Sequence, residues 1–82
     1  MSDSRGYSYA LGKAINAADP KLLGVRLGRV CVAKDVPVTT VATRCGVSRQ
    51  TVYWWFTGVF KPKPKLAELI AQILEEYEQD RV

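Results

Sequence analysis

Arg49 and Gln50 stand side by side, and Tyr53 follows one helical turn later, in the segment Ser48-Arg49-Gln50-Thr51-Val52-Tyr53. Their side chains suit one kind of chemistry. An arginine fork fits the O6 and N7 of guanine, a glutamine amide fits the N6 and N7 of adenine, and a tyrosine offers a ring to a thymine methyl or a hydroxyl to a phosphate. Such groups read a base edge only when a rigid rod holds them together and away from the core. The spacing predicts that rod over about Arg49 to Thr57. Val52 and Trp55, three apart, turn inward and leave Arg49, Gln50, Tyr53, Trp54 and Thr57 outward. The outward side then carries two large aromatics, which a merely solvated face does not need.

The flanking residues are those that would start and aim the rod. Ser48 precedes the apolar-periodic run, and its hydroxyl can accept from the free amides of the next turn as an N-cap. Gly46 lies in the corner Cys45-Gly46-Val47, where a chain leaving a helix sharply adopts a left-handed backbone that glycine enters without strain. Before the corner, Val41 and Ala42 lie on a short helix over about Val38 to Arg44, and Ala42 is small enough for two steeply crossing helices to meet there. The whole reads as a helix-turn-helix.

Val41-Ala42, Cys45-Gly46-Val47-Ser48, Val52, Trp55 and Gly58 together resemble the helix-turn-helix of the lambda-repressor/Cro-like family of phage and bacterial DNA-binding proteins. With one helix added on each side, the resemblance spans roughly residues 20 to 77. It implies an all-α, compact, four- to five-helix domain and a double-stranded DNA partner. It also implies a transcriptional regulator whose second motif helix enters the major groove through its N-terminal turn. Arg49, Gln50 and Tyr53 are then the base-contacting residues, and Ser48, Trp54, Thr57, Lys61, Lys63 and Arg44 the backbone-contacting ones. A monomer of this size reads only a few base pairs, so a homodimer on a palindromic site is expected, with half-sites about one helical turn apart. Two positions depart from the family pattern. Pro37 stands where Ser or Thr often caps the first motif helix, and Trp54 stands where arginine often meets a phosphate. Three roles are open for Trp54: packing along the sugar-phosphate backbone with its indole N–H on a phosphate, filling a gap beside the N-terminal helix, or binding another protein chain.

The remaining elements follow from caps and periodicity. Residues 1–7 read as a flexible polar tail. Ser8 is placed to cap a helix over Tyr9 to Ala17, in which Leu11, Ala14, Ile15 and Ala18 follow helical spacing and Gly12 is a weak point. Its expected part is to cover the core, with dimerisation or an arm along DNA as alternatives. Asp19-Pro20 reads as an N-cap acid followed by proline at the first helical position, opening a helix that runs to about Lys34. Leu23, Leu27, Val30 and Cys31 form its buried stripe, Lys21, Arg29 and Arg26 are expected to face water or phosphate, and Gly24 and Gly28 would allow a helix to approach closely. Gly58 stops the second motif helix, and Val59-Phe60 are expected to return to the core. Lys61-Pro62-Lys63-Pro64-Lys65 cannot be helical through its middle and holds three ammonium groups on a stiff segment. In the resembled family the loop there lies on the DNA backbone. The last helix, Lys65 to about Tyr77, repeats Leu66, Leu69, Ile70, Ile73, Leu74 and Tyr77 and is expected to close the core over the first helix, or to form a dimer seam. The single domain is thus expected over residues 8–77, with an acidic tail over 78–82.

The net charge of +4 is unevenly spread. Between Lys21 and Lys65 nine basic residues stand against Asp35 alone, a net of +8, whereas from Leu66 onward five acids stand against Arg81, a net of −4. The basic excess coincides with the motif, as a phosphate-facing surface requires. No run approaches the twenty apolar residues of a membrane helix, and no basic-then-apolar leader opens the chain, so a cytoplasmic setting and no membrane partner are expected. Cys31 and Cys45 fall at apolar-periodic positions and read as buried free thiols. With no histidine and two cysteines fourteen apart, no metal site is expected. The scattered acids, the absence of a base near either cysteine and the lack of a phosphate-cradling loop point away from an enzyme and from any cofactor. The alternative to a regulator is a small phage-type factor that uses the same scaffold to bind and modulate a host protein such as RNA polymerase.

Overall fold

A computed structural model describes residues 9–79. Among the described residues there are five α-helices and no strand: α1 (Tyr9–Ala17), α2 (Leu23–Lys34), α3 (Val38–Cys45), α4 (Arg49–Thr57) and α5 (Pro64–Gln79). The expected tail over 1–7, the Ser8 cap and residues 80–82 lie outside the described residues.

Three consecutive helices end in the same way, because their last carbonyls need donors that only a left-handed residue can deliver. After α3, Gly46 takes φ 69° and its amide and that of Val47 fold back to the carbonyls of Thr43 and Ala42. After α4, Gly58 takes φ 80°, with its amide on the Trp55 carbonyl and that of Val59 on the Trp54 carbonyl. After α2 the left-handed position falls to Asp35 at φ 64°, a residue that tolerates this conformation at a cost glycine avoids. The start of α4 is equally local: the Ser48 hydroxyl accepts from the Thr51 amide at 3.2 Å.

Asp19-Pro20 does not open α2. Asp19 Oδ1 accepts from the Lys21 amide at 2.9 Å, and its carbonyl accepts from the Leu22 amide, which closes a turn. Leu22 is then extended, with ψ 134°, so the helix begins only at Leu23. An N-cap and a side-chain turn use the same carboxylate-to-amide bond, and here the turn prevails.

The core lies around α2, which packs against α1, α4 and α5. Its buried face is Gly24, Val25, Leu27, Gly28 and Cys31, while Leu23 and Val30 of the expected stripe are only half-buried. The stripe is rotated because the two glycines point at α4. A Cβ built at Gly24 would lie 2.6 Å from the Trp55 carbonyl oxygen, and one at Gly28 would lie 2.8 Å from Cγ of Phe56. Two backbones can touch so closely only where a side chain is missing. Phe56, fully buried, fills the space left above Gly28 and adds a third inward position to Val52 and Trp55.

The last helix buries Ile70, Ile73 and Leu74 and rests on α2 and α3, whereas the first helix packs on α2 and α4. The expected closure of the last helix over the first is therefore replaced by closure over α2 and α3. The helix also runs through Glu78 to Gln79, past the boundary expected at Tyr77. No helix among the described residues is long and apolar enough to cross a membrane.

Candidate nucleic-acid interface

Within α4 the inward residues are Val52, Trp55 and Phe56, and the opposite side is open. Arg49 and Gln50 are both exposed on its first turn. Arg49 makes no ion pair among the described residues. Tyr53 is half-buried, its ring resting against the edge of the core. Arg49, Gln50 and Tyr53 thus stand together on one rigid rod.

The other expected contact residues are less uniform. Ser48 is exposed but its hydroxyl is engaged with Thr51, both by accepting from the amide and through a hydrogen bond with the Thr51 hydroxyl at 3.1 Å in which either oxygen can donate. Thr57 donates its hydroxyl back to the Tyr53 carbonyl at 2.8 Å, which spends the one proton it could give a phosphate. Arg44 is forked onto Glu76 of α5, Nη1 to Oε1 at 3.0 Å and Nη2 to Oε2 at 3.1 Å. That hydrogen bond holds the Glu76 carboxyl below its ordinary value of 4.5. Because the value is lowered on folding, the pair supports the fold above the ordinary carboxylate range and loses that support as the pH falls through the lowered value.

Arg26 is likewise bridged to Glu78 at 3.4 Å, and Arg29 donates to the Asn16 carbonyl at 2.8 Å instead of facing water. Arg26, Arg29 and Arg44 of the basic stretch are thus turned to internal or acidic partners. Exposed cations stand at the start of α4, Arg49, and in the segment that follows it, Lys61 and Lys63. Lys61 and Lys63 are exposed and line one groove of about 420 Å³ with Val47, Thr51, Trp54 and Leu66. Lys61 also faces Lys21 across a hollow of about 250 Å³ between the starts of α2 and α5.

Val59 and Phe60 do not return to the core and are 59% and 55% exposed. The reason is the cap: both amides fold onto the Trp54 carbonyl, at 2.9 and 3.4 Å, and this reversal sets the Phe60 ring against Trp54. The two rings meet edge to face, with centroids 5.0 Å apart and planes at 84°. Trp54 is therefore neither loose nor buried; it is 38% exposed and held at one side. Phe60 is the residue that sequence reasoning missed here, and the signal available was the glycine stop itself.

Both cysteines are buried and free. Burial pushes the Cys31 thiol up to about 12 and raises that of Cys45 as well, so both stay protonated near neutral pH. No group of three or more His, Cys, Asp or Glu able to hold a metal occurs among the described residues. No protein-family model, no curated protein and no solved structure matches the chain.

Proposed function

We propose that this protein binds double-stranded DNA sequence-specifically and acts as a transcriptional regulator, with α3 and α4 forming a lambda-repressor-like helix-turn-helix. The observation that carries the reading is the exposed pair Arg49 and Gln50 on the first turn of a helix fixed from behind by Val52, Trp55 and Phe56. In this reading Arg49, Gln50 and Tyr53 contact bases, and Lys61 and Lys63 neutralise flanking phosphates. Two copies on a palindrome would give the length of site that one copy lacks. The reading gives the protein no catalytic role. Selection from a random duplex library, followed by a salt titration on the enriched site, tests it. A shared half-site motif and an affinity that falls steeply with salt are expected; recovery of no preferred sequence would overturn it.

Arg44 belongs to the proposed backbone contacts only by exchanging its carboxylate for a phosphate. Glu76→Gln removes the competitor. The expected result is tighter DNA binding because no ion pair has to break first, with the salt slope little changed since the same phosphate is neutralised in both complexes. An unchanged affinity would place Arg44 outside the interface.

The exposed Trp54, Val59 and Phe60 favour a second reading, in which the same scaffold binds a protein such as a polymerase. Trp54→Ala would then abolish activity while Arg49→Ala left it intact.

A further inference from the structure

We propose that Trp54, braced by Phe60, reads the C5-methyl group of a thymine about two base steps from the base contacted by Gln50. The inference rests on the DNA-binding function proposed above and gives Trp54 a base-edge role in place of the backbone contact expected from the sequence.

Position comes first. At about 100° per residue, Gln50, Trp54 and Thr57 project within a sector of about 60° on the side of α4 opposite Val52, Trp55 and Phe56. Trp54 therefore shares the face of Gln50, displaced along the axis by about 6 Å, roughly two base steps. A helix that presents Gln50 to the groove carries Trp54 in with it.

Chemistry then narrows what Trp54 can recognise. An indole has one N–H donor and no acceptor, so it cannot match the paired donor and acceptor patterns that distinguish bases. What it offers is apolar surface, and the apolar feature of the major groove is the thymine methyl. Phosphate is already provided for, because the groove beside Trp54 brings Lys61 and Lys63 to the same edge of α4, while Val47, Phe60 and Leu66 extend its apolar wall.

Rigidity makes the contact selective. The Phe60 ring holds the indole at 84° and 5.0 Å, and Phe60 is itself held by its amide on the Trp54 carbonyl. A freely rotating side chain would accept many neighbours, whereas a braced one presents a fixed surface to a methyl-sized target.

The test replaces each thymine of the selected site, one at a time, by uracil, which removes only the methyl. The unaltered protein should bind about fourfold more weakly at one position per half-site, the effect of one buried methyl-sized group. Trp54→Ala should bind the thymine and uracil versions of that position equally, and so should Trp54→Gln, which guards against a misfolded variant. Arg49→Ala, weaker overall, should keep the fourfold discrimination. Discrimination that survives in both Trp54 variants, or sites in which no thymine responds, would overturn the inference while leaving sequence-specific binding intact. Failure to select any sequence would remove the DNA-binding function and this inference together.

Discussion

Gly24→Ala is expected to lower the melting temperature by roughly 2 to 16 °C, while Gly12→Ala raises it by roughly 4 °C. The chemical change is the same, and the surroundings reverse its sign. In an open helical position alanine is favoured over glycine by about 0.5 to 1 kcal/mol, because glycine surrenders more backbone freedom on folding. Gly12 is such a position, with nothing within 4 Å of the added Cβ. At Gly24 the Cβ would lie 2.6 Å from the carbonyl oxygen and 3.0 Å from the carbonyl carbon of Trp55. A backbone atom cannot rotate aside as a side-chain tip can, so α4 must move away from α2 as a body. Overpacking of this kind costs about 1 to 3 kcal/mol and exceeds the gain in propensity. Gly28→Ala should also destabilise, since the Cβ there would lie 2.8 and 2.9 Å from Cγ and Cβ of the fully buried Phe56, atoms too near the backbone to swing aside. Thermal unfolding of the three variants checks the order. A Gly24→Ala protein as stable as the parent would show that the two helices are not in backbone contact.

The second large effect concerns recognition. Arg49→Ala and Gln50→Ala should each weaken binding to the selected site by roughly 10- to 100-fold, the value of a bidentate base contact, with little change in melting temperature because both side chains are exposed. Neither should change binding to unrelated DNA by more than the loss of one charge explains. Lys61→Ala provides the contrast. It should weaken binding to all sequences alike and reduce the salt slope by about 0.9. Competition binding at two salt concentrations separates these patterns. If Arg49→Ala behaves like Lys61→Ala, losing affinity without losing sequence preference, then Arg49 meets phosphate rather than a base.

The two experiments are linked through α4. The same glycines that bring the helix against α2 set how far its outer face stands from the body of the protein, so Gly24→Ala should also blunt recognition through a displaced rod. That loss should accompany the change in stability, whereas the loss in Arg49→Ala should not.

Much of this architecture was legible from short stretches of chain. Ser48 accepting from Thr51, Gly46 and Gly58 in left-handed conformations, and the inward turn of Val52 and Trp55 all involve partners within a few residues. The α5 stripe was legible for the same reason: one face of a helix repeats every three or four residues. Asp19-Pro20 shows where local reading divides. The carboxylate-to-amide bond exists, but whether a helix or a turn follows depends on where the next element docks. Val59 and Phe60 were read as core because they are apolar, yet their amides are bound to the Trp54 carbonyl, and that reversal keeps both side chains outside.

By itself, then, the sequence determined which segments become helices, where most of them stop, and which residues lie on the outer side of α4. These outcomes rest on hydrogen bonds and periodicity that act over one or two turns. Only the tertiary structure decided that Gly24 and Gly28 receive α4, that Arg44 and Arg26 are taken by Glu76 and Glu78, and that Arg49, Lys61 and Lys63 stay exposed. Those pairings join residues tens of positions apart, and nothing in the spacing of a charge or a glycine names its partner until packing of the helices brings the two together.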